Sequence, residues 1–485
     1  MTQFCTWKMA GVVFVLFAAT AIAGQAQTFT SLVSFDDTNG AEPFLMSLVQ
    51  GGDARLYGTT QYGGISKCSY MGCGSVFRVT LSGNLEGFNL CKEDKCHDGS
   101  NPIAGLVLGT DMILYGTTSF GGGTGCGGHG CGTIFKLTPG GKRIKLHHFD
   151  DSDGYAPYAP LVQGPDGNFY GTTLGGGNEC GSGCGTVFRM TPSGAVTTLH
   201  SFAGHDGSSP VAALVFASDG SFYGTTSSGG DHDEGTLFKI TSEGALVTLH
   251  NFCSHSACSD GGAPFAALIQ ATDGNLYGTT TIGGDGSSGT VFRVTLTGQL
   301  TTLHSFEGSD GSNPSGGIIQ ANDGNFYGTA AGGGGGLCNC GTVFQITPAG
   351  SLTTLHTFDG SDGFAPIGGL LQDTNGTFYG TTTQGGNPGC YLNHGCGTVF
   401  SLDTGLGPFV RLVQNFGKMG QTGGILGQGF TGTTSVALNG IQASFTVVSD
   451  TFINATVPAG ATTGYVTVTT PTGTLTSNVP FHVIP

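Results

Sequence analysis

Asp231, His232, Asp233 and Glu234 place three carboxylates and an imidazole in four consecutive positions. Such a group could bind a calcium ion or supply paired carboxyl groups for acid–base work. The competing reading is a short polar loop that simply tolerates charge. Fourteen cysteines fall into seven close pairs: Cys68/Cys73, Cys91/Cys96, Cys126/Cys131, Cys180/Cys184, Cys253/Cys258, Cys338/Cys340 and Cys390/Cys396. Zinc needs four converging ligands, which two-cysteine loops spread along a chain do not readily supply, so disulfides are the expected chemistry. Each bridge closes a tiny loop and adds little entropic stability; its larger effect is to stiffen that loop. No nucleophile elbow, phosphate loop or zinc-protease helix motif is present. No catalytic residue, metal or cofactor is assigned, and Asp231–Glu234 stands as the candidate binding loop.

Other chemically suggestive residues recur and are thereby discounted. His147, His200, His250, His304 and His356 share one repeat position. Equivalent positions on successive units are dispersed, so they are expected to bond neighbouring loops rather than converge on a metal. Arg78, Lys136, Arg189, Lys239 and Arg293 share another position, completed by Gln345 and Ser401. They read as strand-edge charge that discourages aggregation, with a basic ring for acidic sugars as the sharper alternative. Asp98, Asp153, Asp206, Asp260, Asp310 and Asp362 sit in Asp-Gly turns without a glutamate at EF-hand spacing, so turn chemistry accounts for them.

The elements that position these residues are written in a repeat. Tyr-Gly-Thr occurs at Tyr57, Tyr115, Tyr170, Tyr223, Tyr277, Tyr327 and Tyr379, at steps of 50–58 residues. Each copy lies between an Asp-Gly or related turn and a Gly-rich loop followed by a Gly-Thr-Val-Phe-like strand. In the third unit the expected strands are Tyr158–Gln163, Asn168–Thr173, Thr186–Thr191 and Ala195–Phe202. The fourth-strand motif ends at Phe35, Phe88, Phe149, Phe202, Phe252, Phe306 and Phe358, so the seventh unit lacks its own and one is left over at the amino end. The expected fold is all-β: a seven-bladed β-propeller over 28–403, closed by the amino-terminal strand, which hides both sheet edges. Tight turns then share one face. All seven cysteine pairs share the other, five between Tyr-Gly-Thr and the Val-Phe strand and two between blades, which marks it as the functional face.

The ends of the chain differ from the repeat. An apolar run from Met9 to Ala23 behind Lys8 reads as a signal peptide over 1–26, too short for a membrane span. No cysteine follows it to suggest a lipid anchor. A net charge of −16 argues against nucleic acid or anionic membranes as partners. Beyond Leu402 the period stops, and short strands with Gly, Asn and Pro turns suggest a small immunoglobulin-like β-sandwich over 404–485. Gly427-Gln-Gly-Phe430, Val436-Ala-Leu-Asn-Gly440, Val457-Pro-Ala-Gly460 and Val466-Thr-Val-Thr-Thr-Pro471 closely resemble the IPT/TIG family. That resemblance implies a spacer, binding platform or dimerisation unit rather than a catalyst. The Tyr-Gly-Thr-Thr, Gly-Gly and Gly-Thr-Val-Phe pattern from Phe35 to Leu402 resembles the GloVer tandem-repeat family of exported bacterial proteins.

The expected function is a secreted or periplasmic, surface-associated and non-enzymatic protein whose cross-linked loops bind a glycan or extracellular protein. The alternative is a carbohydrate-active enzyme, a glycoside hydrolase or polysaccharide lyase, with its site at the ring's mouth. A purely structural envelope component is the third reading.

Overall fold

The computed structural model describes residues 27–64, 72–91, 96–138, 140–177, 179–181, 183–390 and 394–484; the proposed signal peptide and Cys68 lie outside them. Residues 28–403 form seven four-stranded antiparallel sheets of propeller type, numbered 1 to 7 in chain order. Sheet 3 is representative, with strands Val162–Gln163, Phe169–Thr173, Thr186–Met190 and Val196–Ser201. Its inner strand is shorter than expected because Pro157 and Pro160 have no N–H to donate to a ladder. In sheet 7 the fourth strand is Thr28–Ser34, paired antiparallel with Thr398–Asp403, so the amino end completes the last sheet.

Each residue of Tyr-Gly-Thr-Thr has a packing reason. The tyrosine ring is buried and its hydroxyl donates to the turn aspartate four residues earlier, at 2.8–3.0 Å in six sheets. The glycine is overlaid by the Phe directly opposite on the next strand: a Cβ at Gly171 would lie 2.6 Å from the Phe188 ring. In five sheets the first threonine bonds a carbonyl of the following sheet, as Thr172 does with Ala212 O at 3.3 Å. The second is fully buried against the third strand, where Thr173 meets Thr186 at 2.8 Å. Thr186 in turn donates to Asp153 O, which holds the Asp-Gly loop between sheets.

Apolar clusters join each sheet to the next. Tyr170, Val187 and Phe202 of sheet 3 pack with Leu214, Phe222 and Phe238 of sheet 4, and Phe35 and Val399 of sheet 7 pack with Leu56 and Phe77 of sheet 1. The cycle is therefore closed by packing as well as by strand pairing. One register differs from the sequence reading. In sheet 1 the counterpart of Phe202 is Leu90, whose N–H bonds Gly74 O as that of Phe202 bonds Gly185 O. Phe88 instead pairs with Val76, taking the place that His200 has opposite Val187. Its fourth strand also runs without the bulge found there in sheets 2 to 6.

Glutamines at the inner strand ends staple neighbouring sheets on the tight-turn face. Gln163, Gln270, Gln320 and Gln372 accept from the N–H of Thr110, Ser218, Thr272 and Asn322 at 2.9–3.1 Å. Two sheets lack the glutamine. Sheet 4 carries Phe216, and the turn residue it would bond in sheet 3 is Pro165, which has no N–H; sheet 2 carries Leu108, next to the Gly52 turn.

The rest of the chain docks at both breaks and, through Arg411 and Gln428, on Gln372 and Asp373 of sheet 7. Residues 411–484 form two further four-stranded sheets and a parallel pair, Phe416–Gly417 with His482–Val483. Their core includes Ile425, Val436, Ile453, Val468 and Phe481. Phe416 packs on Phe216 with ring centroids 4.5 Å apart, and Leu426 and Phe452 join the cluster of Leu108. Thr451 Oγ1 donates to Gly52 O at 2.7 Å and Gln414 Nε2 to Gly164 O at 3.1 Å. The terminal sheets therefore cover the tight-turn face.

Candidate functional site

The repeated polar residues are committed to the framework. Nε2 of His147, His200, His250, His304 and His356 lies 2.7–3.0 Å from Asp153, Asp206, Asp260, Asp310 and Asp362. These bonds tie each fourth strand to the loop that leads into the next sheet. Where the histidine is missing the aspartate changes its role: Asp98 pairs with Arg143 at 3.0 Å, and sheet 7 has Val33 with Asn39. Two of the cationic positions are likewise used locally, Arg78 with Glu86 and Lys239 with Asp219, both at 2.7 Å.

One His–Asp pair carries a pH dependence. Burial holds the His250 imidazole below its ordinary value, outweighing the pull of Asp260. Because that folded-state pKa is depressed, the unfolded chain takes up a proton near 6.5 that the folded one resists. Stability is thus present above pH 6.5 and lost as pH falls below it. The urea midpoint is expected to drop between pH 7.5 and 5. His250→Phe, which copies the phenylalanine that sheet 1 carries at position 88, is expected to flatten part of that drop. An equally steep drop in both proteins would refute the assignment.

The candidate loop Asp231–Glu234 is a tight turn on the cysteine-bearing face. Asp231 exchanges bonds with Asn251. Asp233, at φ 61°, accepts the N–H of Gly229 at 3.0 Å. Glu234 uses its backbone O to accept the N–H of Ala263 at 2.8 Å. His232 is exposed. These side chains are not among the groups of three whose ligand atoms converge within 4.8 Å among the described residues.

Glu234 exposes the logic of the cysteines. In five other sheets the residue in its place is the closing cysteine of a loop: Cys73, Cys131, Cys184, Cys340 and Cys396 each accept, through backbone O, the N–H of an elbow residue in the next sheet. Those elbow residues, Asn101, Ala156, Ser209, Ala365 and Glu42, all precede proline and have φ of 52–55°. A left-handed residue before proline is doubly disfavoured, so the bond from the preceding loop is what holds it. Disulfides join Cys91 to Cys96, Cys126 to Cys131, Cys180 to Cys184, Cys253 to Cys258, Cys338 to Cys340 and Cys390 to Cys396. Stiffening four of these loops therefore stiffens the elbows that open onto the ring axis.

The inner segments after the elbows crowd together at that axis. A Cβ on Gly105 would meet Ser47 O at 2.9 Å and Pro160 at 3.7 Å, and one on Gly369 would meet Ser47 Oγ at 2.5 Å and Gly316 O at 2.6 Å. Above this waist, the mouth on the cysteine-bearing face is asymmetric. Glu42 replaces the small elbow residues, and burial followed by the charge of Asp37 pushes its carboxyl up. Gln61 Nε2 donates to Tyr62 Oη at 3.1 Å. The Tyr155 ring lies over Gly175, where a Cβ would sit 2.2 Å from Cζ. Burial, then the Tyr62 and Tyr155 phenols, push up the phenol of Tyr158. Phe120 stands 39% exposed on the same face. Aromatic faces beside an amide and a carboxylate can stack on a sugar ring and bond its hydroxyls. The sequence reading passed over these residues; their signal was tyrosines that fall outside Tyr-Gly-Thr.

The Gloeobacter/Verrucomicrobia repeat family matches residues 65–265 and 254–445, which bears out, at the level of the family, the tandem-repeat resemblance. No curated protein matches the chain. Among solved structures, a streptogramin B lyase is similar at TM-score 0.52 and 13% identity, over 78% of this chain and 97% of that one. A fungal alcohol oxidase of the AA5 family, in complex with copper, is similar at TM-score 0.54 and 14% identity, over 94% and 99%. The extracellular domain of a hybrid two-component system from B. thetaiotaomicron is similar at TM-score 0.49 and 10% identity, over 94% and 55%. At such identities the likeness is one of fold, and the functions named are mixed.

Proposed function

The chain belongs to the Gloeobacter/Verrucomicrobia repeat family, and from that premise we propose that it is an exported, non-enzymatic binding protein whose disulfide-braced face holds a glycan or an extracellular protein. The observation that carries this reading is the placement of the terminal sheets. They dock on the tight-turn face through Thr451, Gln414 and Phe416 and leave the braced mouth open. The disulfides fit an extracellular or periplasmic protein, and no helix among the described residues is long and apolar enough to cross a membrane.

In this reading residues 28–403 are a seven-bladed propeller closed by its amino-terminal strand, and 404–485 an IPT/TIG-like sandwich that serves as its platform. Glu42, Gln61, Tyr62, Tyr155 and Tyr158 form the contact surface, with Asp231–Glu234 on the rim. The test is a glycan array and a pull-down from extracellular material with the mature chain. Tyr62→Ala and Tyr158→Ala are each expected to weaken the captured ligand at least tenfold, with unchanged unfolding midpoints. Substrate turnover without retention would overturn the reading.

A carbohydrate-active enzyme is the second reading, favoured by one observation: Glu42 has a raised carboxyl pKa beside a second carboxylate, Asp37. That is the asymmetry a general acid needs. Under it, Glu42→Gln abolishes turnover; under the binding reading it leaves capture within a few fold.

A further inference from the structure

A second site lies on the opposite side of the waist. Between the inner strand ends of sheets 2 to 5 and the docked terminal sheets is a cavity of about 480 Å³, within the size range of small-molecule sites. Its floor joins apolar residues, among them Leu214 and Phe216, to polar ones such as Ser218, Asp219 and Gln270, and Phe216 packs on Phe416 of the terminal sheets. Its roof comes from the terminal sheets and is mixed: Gln414, Asn415 and His482 are interleaved with apolar residues such as Val413, Val479 and Ile484.

The framework polar groups of the cavity are already satisfied. Gln270 bonds Ser218 N, Ser218 Oγ and Gly274 O, and the Asp219 carboxylate is taken by Tyr223 and Lys239. The roof differs. Gln414 spends its amide N–H on Gly164 O and keeps its carbonyl oxygen. The Asn415 amide and the His482 ring have no side-chain hydrogen-bond partner among the described residues, although both are half-buried. Burial also lowers the pKa of His482, so its imidazole is neutral and offers one donor and one acceptor. Unspent donors and acceptors beside Phe216 and aliphatic side chains, with every lining charge already paired, are the complement of a neutral molecule that carries both hydroxyls and an apolar face.

We propose that this cavity is a binding site for a neutral mono- or disaccharide, formed jointly by Phe216 on the ring and by Gln414, Asn415 and His482 on the terminal sheets. The site is independent of the mouth on the opposite face. Because both walls are needed, a bound sugar stabilises the docked arrangement by mass action.

The mature chain is titrated calorimetrically with glucose, galactose, maltose and cellobiose, and with glucuronate as the charged control. At least one neutral sugar is expected to give saturable heat, and glucuronate none. Asn415→Leu and His482→Phe are each expected to weaken that binding at least tenfold, whereas Tyr62→Ala leaves it unchanged, which separates this site from the mouth. If either variant fails to fold, the ring resonances of ¹³C-labelled His482 in the unaltered chain provide the readout and are expected to shift with the same sugar. Absence of saturable heat with all four neutral sugars overturns the proposal. So does heat that survives both variants in the Tyr62→Ala background, or that leaves the His482 resonances unmoved.

Discussion

Removing residues 27–35 from a chain that starts at Gln27 is expected to abolish its cooperative unfolding. Thr28–Ser34 supplies the fourth strand of sheet 7, and without it Thr398–Asp403 becomes an unpaired edge. The loss extends beyond the ladder. Phe29, half-buried, stacks on His356 at 3.6 Å and lies 5.4 Å from Phe400 and 5.6 Å from Phe358. Phe35 is fully buried where sheet 7 packs on sheet 1. Losing one buried phenylalanine costs about 3–5 kcal/mol. With the contacts of Phe29 and the ladder added, the loss approaches the whole stability of an ordinary domain. The truncated chain is expected to self-associate on gel filtration and to show a broad, early urea transition by circular dichroism. The only tryptophan, Trp7, is in the proposed signal peptide, so tryptophan fluorescence would not report it. A synthetic peptide of residues 27–36 is expected to restore the transition by strand addition. A monomeric truncated chain with an unchanged midpoint would show that the ring does not depend on this closure.

Asp373→Leu is expected to be the most damaging single substitution at the seam, at about 3 kcal/mol. Arg411, from the first terminal strand, has a desolvated guanidinium that donates to Gln372 O and leaves its buried Nε unpartnered. Asp373, itself fully buried, is the carboxylate that acts on it. Removing that charge leaves a buried guanidinium with no counter-charge, a larger penalty than the pair's own net worth. The double variant Asp373→Leu/Arg411→Leu is therefore expected to recover most of the loss, since two apolar side chains replace two desolvated charges. Urea denaturation of the two single variants and the double variant checks this. Additive losses in the double variant would mean that the two groups do not communicate.

Much of the ring could be read from the chain because its code is local. Tyr-Gly-Thr-Thr specifies a turn bond, a glycine beneath a phenylalanine and a threonine bond within each unit, and seven repetitions made the pattern unmistakable. The leftover strand at Phe35 pointed to its partner for the same reason: a four-strand unit that lacks one must obtain it elsewhere. Local reading also misplaced one register, because Phe88 sits two residues before Leu90 and a bulge present elsewhere is absent from sheet 1. Only the pairing with Val76 reveals which residue occupies the histidine place. The repeated histidines were rightly set aside as loop anchors. The Asp231–Glu234 loop drew notice by charge density, yet two of its members are engaged by nearby Asn251 and Gly229, and a third braces Ala263 through its backbone.

The sequence by itself determined the repeat, the strand chemistry, the six disulfides joining described cysteines and the family, since each depends on residues within one unit or on its recurrence. Tertiary structure alone decided which unrepeated residues meet. Tyr62 and Tyr158 are brought together from sheets 1 and 3, and Gln414 reaches Gly164 across 250 residues. Ring closure and seam docking create those encounters, and no spacing along the chain encodes them. The two proposed sites therefore lie where the repeat is broken, at the mouth and at the seam, while the repeated residues hold the two apart.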